Sequence, residues 1–197
     1  MKKLIYLLLV CGCTPVMAQK PTVRHKLYTS YFNPAAHEPD SVSWNLNAAM
    51  LNCKNHLPRS NKFIADPMVP GTALNRDYAK SGYDQGHQMP AQDNSCDPIG
   101  EVECFYFSNM VPQTPELNRV VWKNLEVWCR KEAAVHPLHI ICGVLGSLGT
   151  IGPDKVNIPA YCYKAIYDNG KWVCYIMPNT HTVKAHPYSF YAVTVVV

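Results

Sequence analysis

Apolar positions along the chain fall into runs with different periods. From Val42 to Met50, "VSWNLNAAM" alternates, with Trp44, Leu46, Ala48 and Met50 on one face, which predicts a strand. Residues 58–83 carry "PRSN", "ADP" and "VPG" and predict a long, mostly irregular approach to His87. One long helix is announced at 114–134: Thr114 suits the cap, Pro115 the first helical position, and Glu116 complements the dipole. It should stop before His136-Pro137. Strand-like runs follow at 138–145, 160–167 and 171–177, and "FYAVTVVV" closes the chain. Mixed strands around one strong helix predict an α+β fold with a mixed, largely antiparallel central sheet.

The turn "DNGK" between the last two strands sets a register. It places Asp168 opposite Lys171, hence Cys162 opposite Met177 and Cys174 opposite Ala165, so those two cysteines should not meet.

The start of the chain has another character. Residues 1–18 combine Lys2 and Lys3, an apolar run from Leu4 to Val10 and a small-residue ending at Ala18, which fits a cleaved signal peptide. The run is far short of the ~20 residues that cross a membrane. The expectation is a secreted or periplasmic protein, with a lipid anchor at Cys13 the weaker reading. An N-terminal segment at 19–41 then leads into one domain at 42–197.

Without Lys2 and Lys3 the net charge drops from +4 to +2, which neither demands nor excludes a polyanionic partner. Cys53, Cys96, Cys104, Cys129, Cys142, Cys162 and Cys174 remain, an odd number, so at least one is unpaired within a monomer. Cys96 and Cys104 bracket a short loop and make the easiest pair. No Cys-x-x-Cys spacing is present, so a structural zinc site is not expected. Oligomeric state and any inhibitor partner are not legible at this level.

Three stretches concentrate chemistry: "DQGH" at 84–87, "SNMVPQ" at 108–113 and "LNRVVWKNLEVWCR" at 117–130. On the helix, Asn118, Trp122 and Glu126 recur at four-residue steps, with Arg130 one turn further on. Polar groups on a face shared with a tryptophan need partners, a metal or a ligand. The plain alternative is a solvated face carrying a Glu126–Arg130 surface pair.

"DQGHQMPAQDN" followed by "FYFSNMVPQTPELNRVVWKNLE" resembles the DNA/RNA non-specific endonuclease family. The matching elements are Asp84/Gly86/His87, Asn109/Pro112/Gln113 and Asn118/Trp122/Glu126. The resemblance implies a ββα-metal (His-Me) finger and Mg²⁺-dependent hydrolysis of DNA and RNA without sequence specificity, with Mn²⁺ able to substitute. It further implies 5′-phosphate ends. The catalytic set so implied is His87 as general base with Glu126, Arg130 and Asn109. Asn118 is the metal ligand, and Arg59, Asp84, Gln85 and Gln113 contact or support the phosphate. One departure stands out: Gln85 occupies a position that is arginine in the family pattern, which removes a fixed positive charge. A catalytically weakened or inactive nucleic-acid-binding protein on the same fold is the alternative.

Overall fold

The long run from Val42 divides where its backbone changes direction. In the computed structural model, which describes residues 20–193, the strand occupies Glu38–Leu46 and ends before Asn47. Asn47 then caps a single helical turn, its side chain accepting from Ala49 N at 3.0 Å and Met50 N at 3.3 Å. The expected strand through Met50 is thus corrected: a capping asparagine outcompetes continued alternation. The signal-peptide and Cys13 readings lie outside the described residues.

In chain order the strands are β1 (Thr22–Arg24), β2 (Thr29–Asn33), β3 (Glu38–Leu46), β4 (Asp84–His87), β5 (Met110–Gln113), β6 (Leu138–Leu145), β7 (Thr150–Ile151), β8 (Val156–Asn157), β9 (Tyr161–Asp168), β10 (Lys171–Pro178) and β11 (Ala192–Val193). The α-helices are α1 (Ala48–Leu51), α2 (Asn75–Tyr78), α3 (Pro98–Glu103) and α4 (Lys123–Ala133). Seven strands form the main sheet in the order β1-β2-β3-β6-β9-β10-β11, with antiparallel pairing throughout. The fold is α+β, as the run of periods predicts. The closing apolar run is mostly not strand: Tyr188–Tyr191 is a 3₁₀ turn, β11 adds two residues, and 194–197 lie outside the described residues.

The hairpin register is the predicted one. Asp168 pairs with Lys171, Cys162 with Met177 and Cys174 with Ala165. Cys162 and Cys174 are therefore free. The expected Cys96–Cys104 link is corrected, because the disulfide joins Cys53 to Cys96. Helix α3 lies between Cys96 and Cys104, and Cys104 is buried with Phe105 and Ala91, its thiol donating to Glu101 O.

One face of the sheet meets the long helix. Val42, Trp44, Leu138, Ile140, Cys162 and Ile166 point into a common core from the strands. From the helix come Leu117, Val121, Leu125, Cys129 and Ala133, one every fourth residue and each at most 2% exposed. Burying a leucine of this kind contributes about 1.5–3 kcal/mol, so the row fixes the helix against the sheet. The adjacent row, Asn118, Trp122, Glu126 and Arg130, is thereby held at the edge of that core. Among the described residues no helix is long and apolar enough to cross a membrane.

Candidate active site

Strands β4 and β5 pair antiparallel away from the main sheet, and the long helix follows directly, giving a ββα unit. The pairing sets Asp84 opposite Gln113 and Gly86 opposite Val111. Gly86 is required sterically: a Cβ there would lie 2.3 Å from Gln113 Oε1 and 2.6 Å from Gln113 Cγ. The buried Gln113 side chain fills the space that a larger residue at 86 would need.

His87 ends β4. Phe105 lies edge-on at 4.9 Å and Phe63 at 5.5 Å between ring centroids. The ring is 7% exposed and its Nε2 has no hydrogen-bond partner. Burial, assisted by the nearby Arg59 charge, pushes its pKa down to about 3, against a backbone hydrogen bond at Gln85 that favours the charged form. The imidazole is therefore neutral near pH 7 and has a ring nitrogen free to accept a proton.

The helix starts as its sequence announces. Thr114 Oγ1 accepts from Leu117 N at 3.3 Å, and the backbone is helical over residues 115–133. The stretch Leu117–Trp122 is a π-helical turn, after which α4 is regular. Within that turn Asn118 Nδ2 donates to Asp84 Oδ2 at 2.9 Å. Arg119 donates to the same carboxylate from Nε at 2.8 Å and Nη2 at 2.6 Å. Asp84 thus holds two consecutive helical side chains, and π turns of this kind often occur at functional sites. Trp122 Nε1 donates to the His87 carbonyl at 3.3 Å, tying the helix to the histidine backbone.

With Nδ2 committed to Asp84, the Asn118 oxygen is the atom left to ligate a cation. It shares an open cleft of about 1100 Å³ with His87, Glu126, Arg59, Arg130 and Gln85. Burial pushes the Glu126 carboxyl up to about 7, with Lys164 the largest opposing charge and Asp93 adding to the rise. A neutral amide oxygen with a carboxylate nearby is an oxygen donor set suited to a hard divalent ion. Five cations, Arg59, Arg119, Lys123, Arg130 and Lys131, line the cleft against two carboxylates, Glu101 and Glu126. The cleft therefore favours a polyanion despite the modest charge of the whole chain.

Seven of the predicted site residues meet around this cleft: His87, Glu126, Arg130, Asn118, Arg59 and Gln85 line it, and Asp84 holds Asn118. Asn109 does not, which corrects its place in the catalytic set. It is fully buried, bonded to Met89 N and O at 2.9 Å and to Cys104 O at 2.8 Å, so it clamps the turn after His87. Gln113 is likewise buried behind the hairpin and supports it rather than touching a phosphate. The Glu126–Arg130 surface pair gives way to Arg130 Nη1 donating to buried Asp93 Oδ1 at 3.1 Å.

Two residues of this neighbourhood escaped sequence reasoning. Asp93 also accepts from Trp44 Nε1 at 3.2 Å. Lys164 is 1% exposed, its ammonium 4.5 Å from the Trp122 ring centroid and 5.2 Å from that of Trp44. A signal for Lys164 was present: at two-residue steps it shares the inward face of β9 with Cys162 and Ile166.

The model of the family described as DNA/RNA non-specific endonuclease matches residues 14–197. A protein named "Nuclease EXOG, mitochondrial" from Danio rerio is 38% identical over 120 residues, covering 53% of this chain and 35% of that protein. A protein named "Nuclease" from Nostoc sp. is 32% identical over 143 residues, covering 71% of this chain and 51% of that protein. The chain thus spans about half or less of these relatives' lengths. A solved structure titled as the EndoG/EndoGI complex superposes with a TM-score of 0.78 at 27% identity, over 88% of this chain and 80% of that one. The expectation of a secreted or periplasmic protein does not stand against the relatives' names. Those from Danio rerio, Mus musculus, Homo sapiens, Schizosaccharomyces pombe and Saccharomyces cerevisiae are named as mitochondrial nucleases.

Proposed function

The chain belongs to the DNA/RNA non-specific endonuclease family, and from that premise we propose that it hydrolyses phosphodiester bonds of both DNA and RNA with the help of Mg²⁺. The observation that carries this reading is the unpartnered, buried Nε2 of a neutral His87 in a cation-lined cleft that also holds Asn118.

His87 accepts the proton of the attacking water, a role that needs the neutral imidazole its surroundings enforce. Trp122, donating to the His87 carbonyl, and Asn109, clamping Met89, hold that ring's backbone from both sides. Arg59, Lys123 and Arg130 neutralise the non-bridging phosphate oxygens. Contacts of this kind address phosphates, which carry no base sequence, and non-specificity follows. Asn118 would hold the Mg²⁺ ion with Glu126 beside it, and the bound ion would supply charge stabilisation as the 3′ oxygen departs. Departure of that oxygen leaves the phosphate on the 5′ side.

Digestion of plasmid and of RNA, with and without Mg²⁺, tests the reading. Both substrates should be degraded, chelation should stop it, and His87→Ala or Asn118→Ala should each lower the rate at least ~10²-fold. Inertness of the wild type from roughly pH 6 to 9 in Mg²⁺ and in Mn²⁺ would overturn it and favour the binding-protein alternative that Gln85 raises.

A further inference from the structure

At the rim of the cleft a second cluster has a different chemistry. Cys53, His56 and Cys96 bring their ligand atoms within 4.8 Å of one another. The cysteines are joined as the disulfide, and His56 Nδ1 lies 3.6 Å from Cys53 Sγ and 3.9 Å from Cys96 Sγ. In a tetrahedral zinc site, Zn–S bonds of ~2.3 Å and Zn–N bonds of ~2.0–2.1 Å make the sulfur-to-nitrogen edge ~3.6 Å. The imidazole nitrogen therefore already stands from both sulfurs at about the separation a shared ion requires. A disulfide by itself has no need of a nitrogen there. Nδ1 also meets Ser95 Oγ at 2.8 Å, a contact that ligation through the same nitrogen replaces.

We propose that Cys53, His56 and Cys96 form a zinc site when the disulfide is reduced. A dithiol reductant opens the Cys53–Cys96 bond by exchange and is itself oxidised to a disulfide, leaving two thiols on the protein. Zn²⁺ then binds both as thiolates together with neutral Nδ1, releasing the two thiol protons, and a water completes the tetrahedron. Cys53 and Cys96 are half-buried and His56 is exposed, so reductant and ion both have access. In either redox state the segment running from Cys53 to Arg59 stays stapled to Cys96. The site is independent of the reading given to the cleft, because its ligands are not the proposed catalytic groups.

The test uses the full chain reduced with a phosphine, desalted without oxygen and titrated with Co²⁺ as a spectroscopic stand-in for zinc. The expected result is a thiolate-to-cobalt charge-transfer band with tetrahedral d–d bands, saturating at one ion per chain and displaced by Zn²⁺. The oxidised protein should show no such band. His56→Ala, which keeps the disulfide and can be folded oxidised before reduction, should weaken binding at least tenfold. Cys174→Ser, which removes the other partly accessible thiol, should leave it unchanged. Absence of the band in the reduced wild type, or an equal band in His56→Ala, would overturn the proposal. So would a loss of sheet circular dichroism on reduction that Zn²⁺ does not restore.

Discussion

His87 and Glu126 face the same cleft, yet burial moves them in opposite senses: it drives a histidine toward neutrality at lower pH and a carboxyl toward neutrality at higher pH. In the metal-free protein, NMR titration should find the His87 ring neutral down to about pH 3 and the Glu126 carboxyl titrating near 7. The linkage signs follow. The His87 pKa is depressed, so its contribution to stability is present above the usual 6.5 and is lost as pH falls toward 3. The Glu126 pKa is raised, so its contribution is complete below 4.5 and fades as pH rises through about 7. Gln85 has a neighbourly answer: it donates to Asn75 Oδ1 at 2.8 Å, while Arg119, anchored on Asp84, brings a guanidinium to the same cleft. Arg119→Ala should lower kcat/KM by ~10²-fold, the scale of one charge-assisted contact in a transition state. Gln85→Arg should change the wild type less than ~threefold but restore much of the loss in the Arg119→Ala background. Equal gains in both backgrounds would show that Arg119 does not supply the missing charge. His87, Asn118 and Glu126 were legible because motif and spacing name them. Asp93 was not, and Lys164 was legible only as an inward position of β9, because the contacts of both with Trp44, Trp122 and Arg130 cross β3, β9 and the helix, which no local pattern encodes.

At the level of elements, the strand periods and the "DNGK" turn gave the β9–β10 register residue by residue, since a side-chain period of two leaves little freedom once a turn is placed. The caps at Thr114 and Pro115 marked the helix start for the same local reason. The π turn at Leu117–Trp122 was invisible, because Asp84, distant in sequence, bonds to Asn118 and Arg119. An i→i+5 turn takes more residues per revolution than an α-turn, so steps of four from Asn118 fall closer to one line. Asp84→Ala removes the acceptor that Asn118 and Arg119 share across this turn, and the expected outcome is a loss of at least ~10²-fold in activity, a 1 Å misplacement already costing that much, with helical circular dichroism retained. Unchanged activity would mean that this anchor does not set the site.

For the whole molecule, a modest net charge of +4 hides a cleft in which cations outnumber carboxylates. Sequence counts cannot show that concentration, because Arg59 comes from an irregular segment while Lys123, Arg130 and Lys131 come from one helix. Their convergence should give salt-dependent binding. In a His87→Ala background, the slope of log Kobs for duplex DNA against log salt should lie between about −2 and −4, at ~0.9 per neutralised phosphate. Lys123→Ala should make it shallower by about one; a slope near zero would remove the cleft as the binding surface. The core beneath carries its own optical probe. Trp44 and Trp122 flank one buried ammonium, so their fluorescence is tied to a single event. In a background with Trp128 and Trp172 replaced by phenylalanine, whatever admits water to Lys164 should shift both remaining indoles to longer wavelength together, and that emission would follow the opening of the helix–sheet seam in real time without an added label.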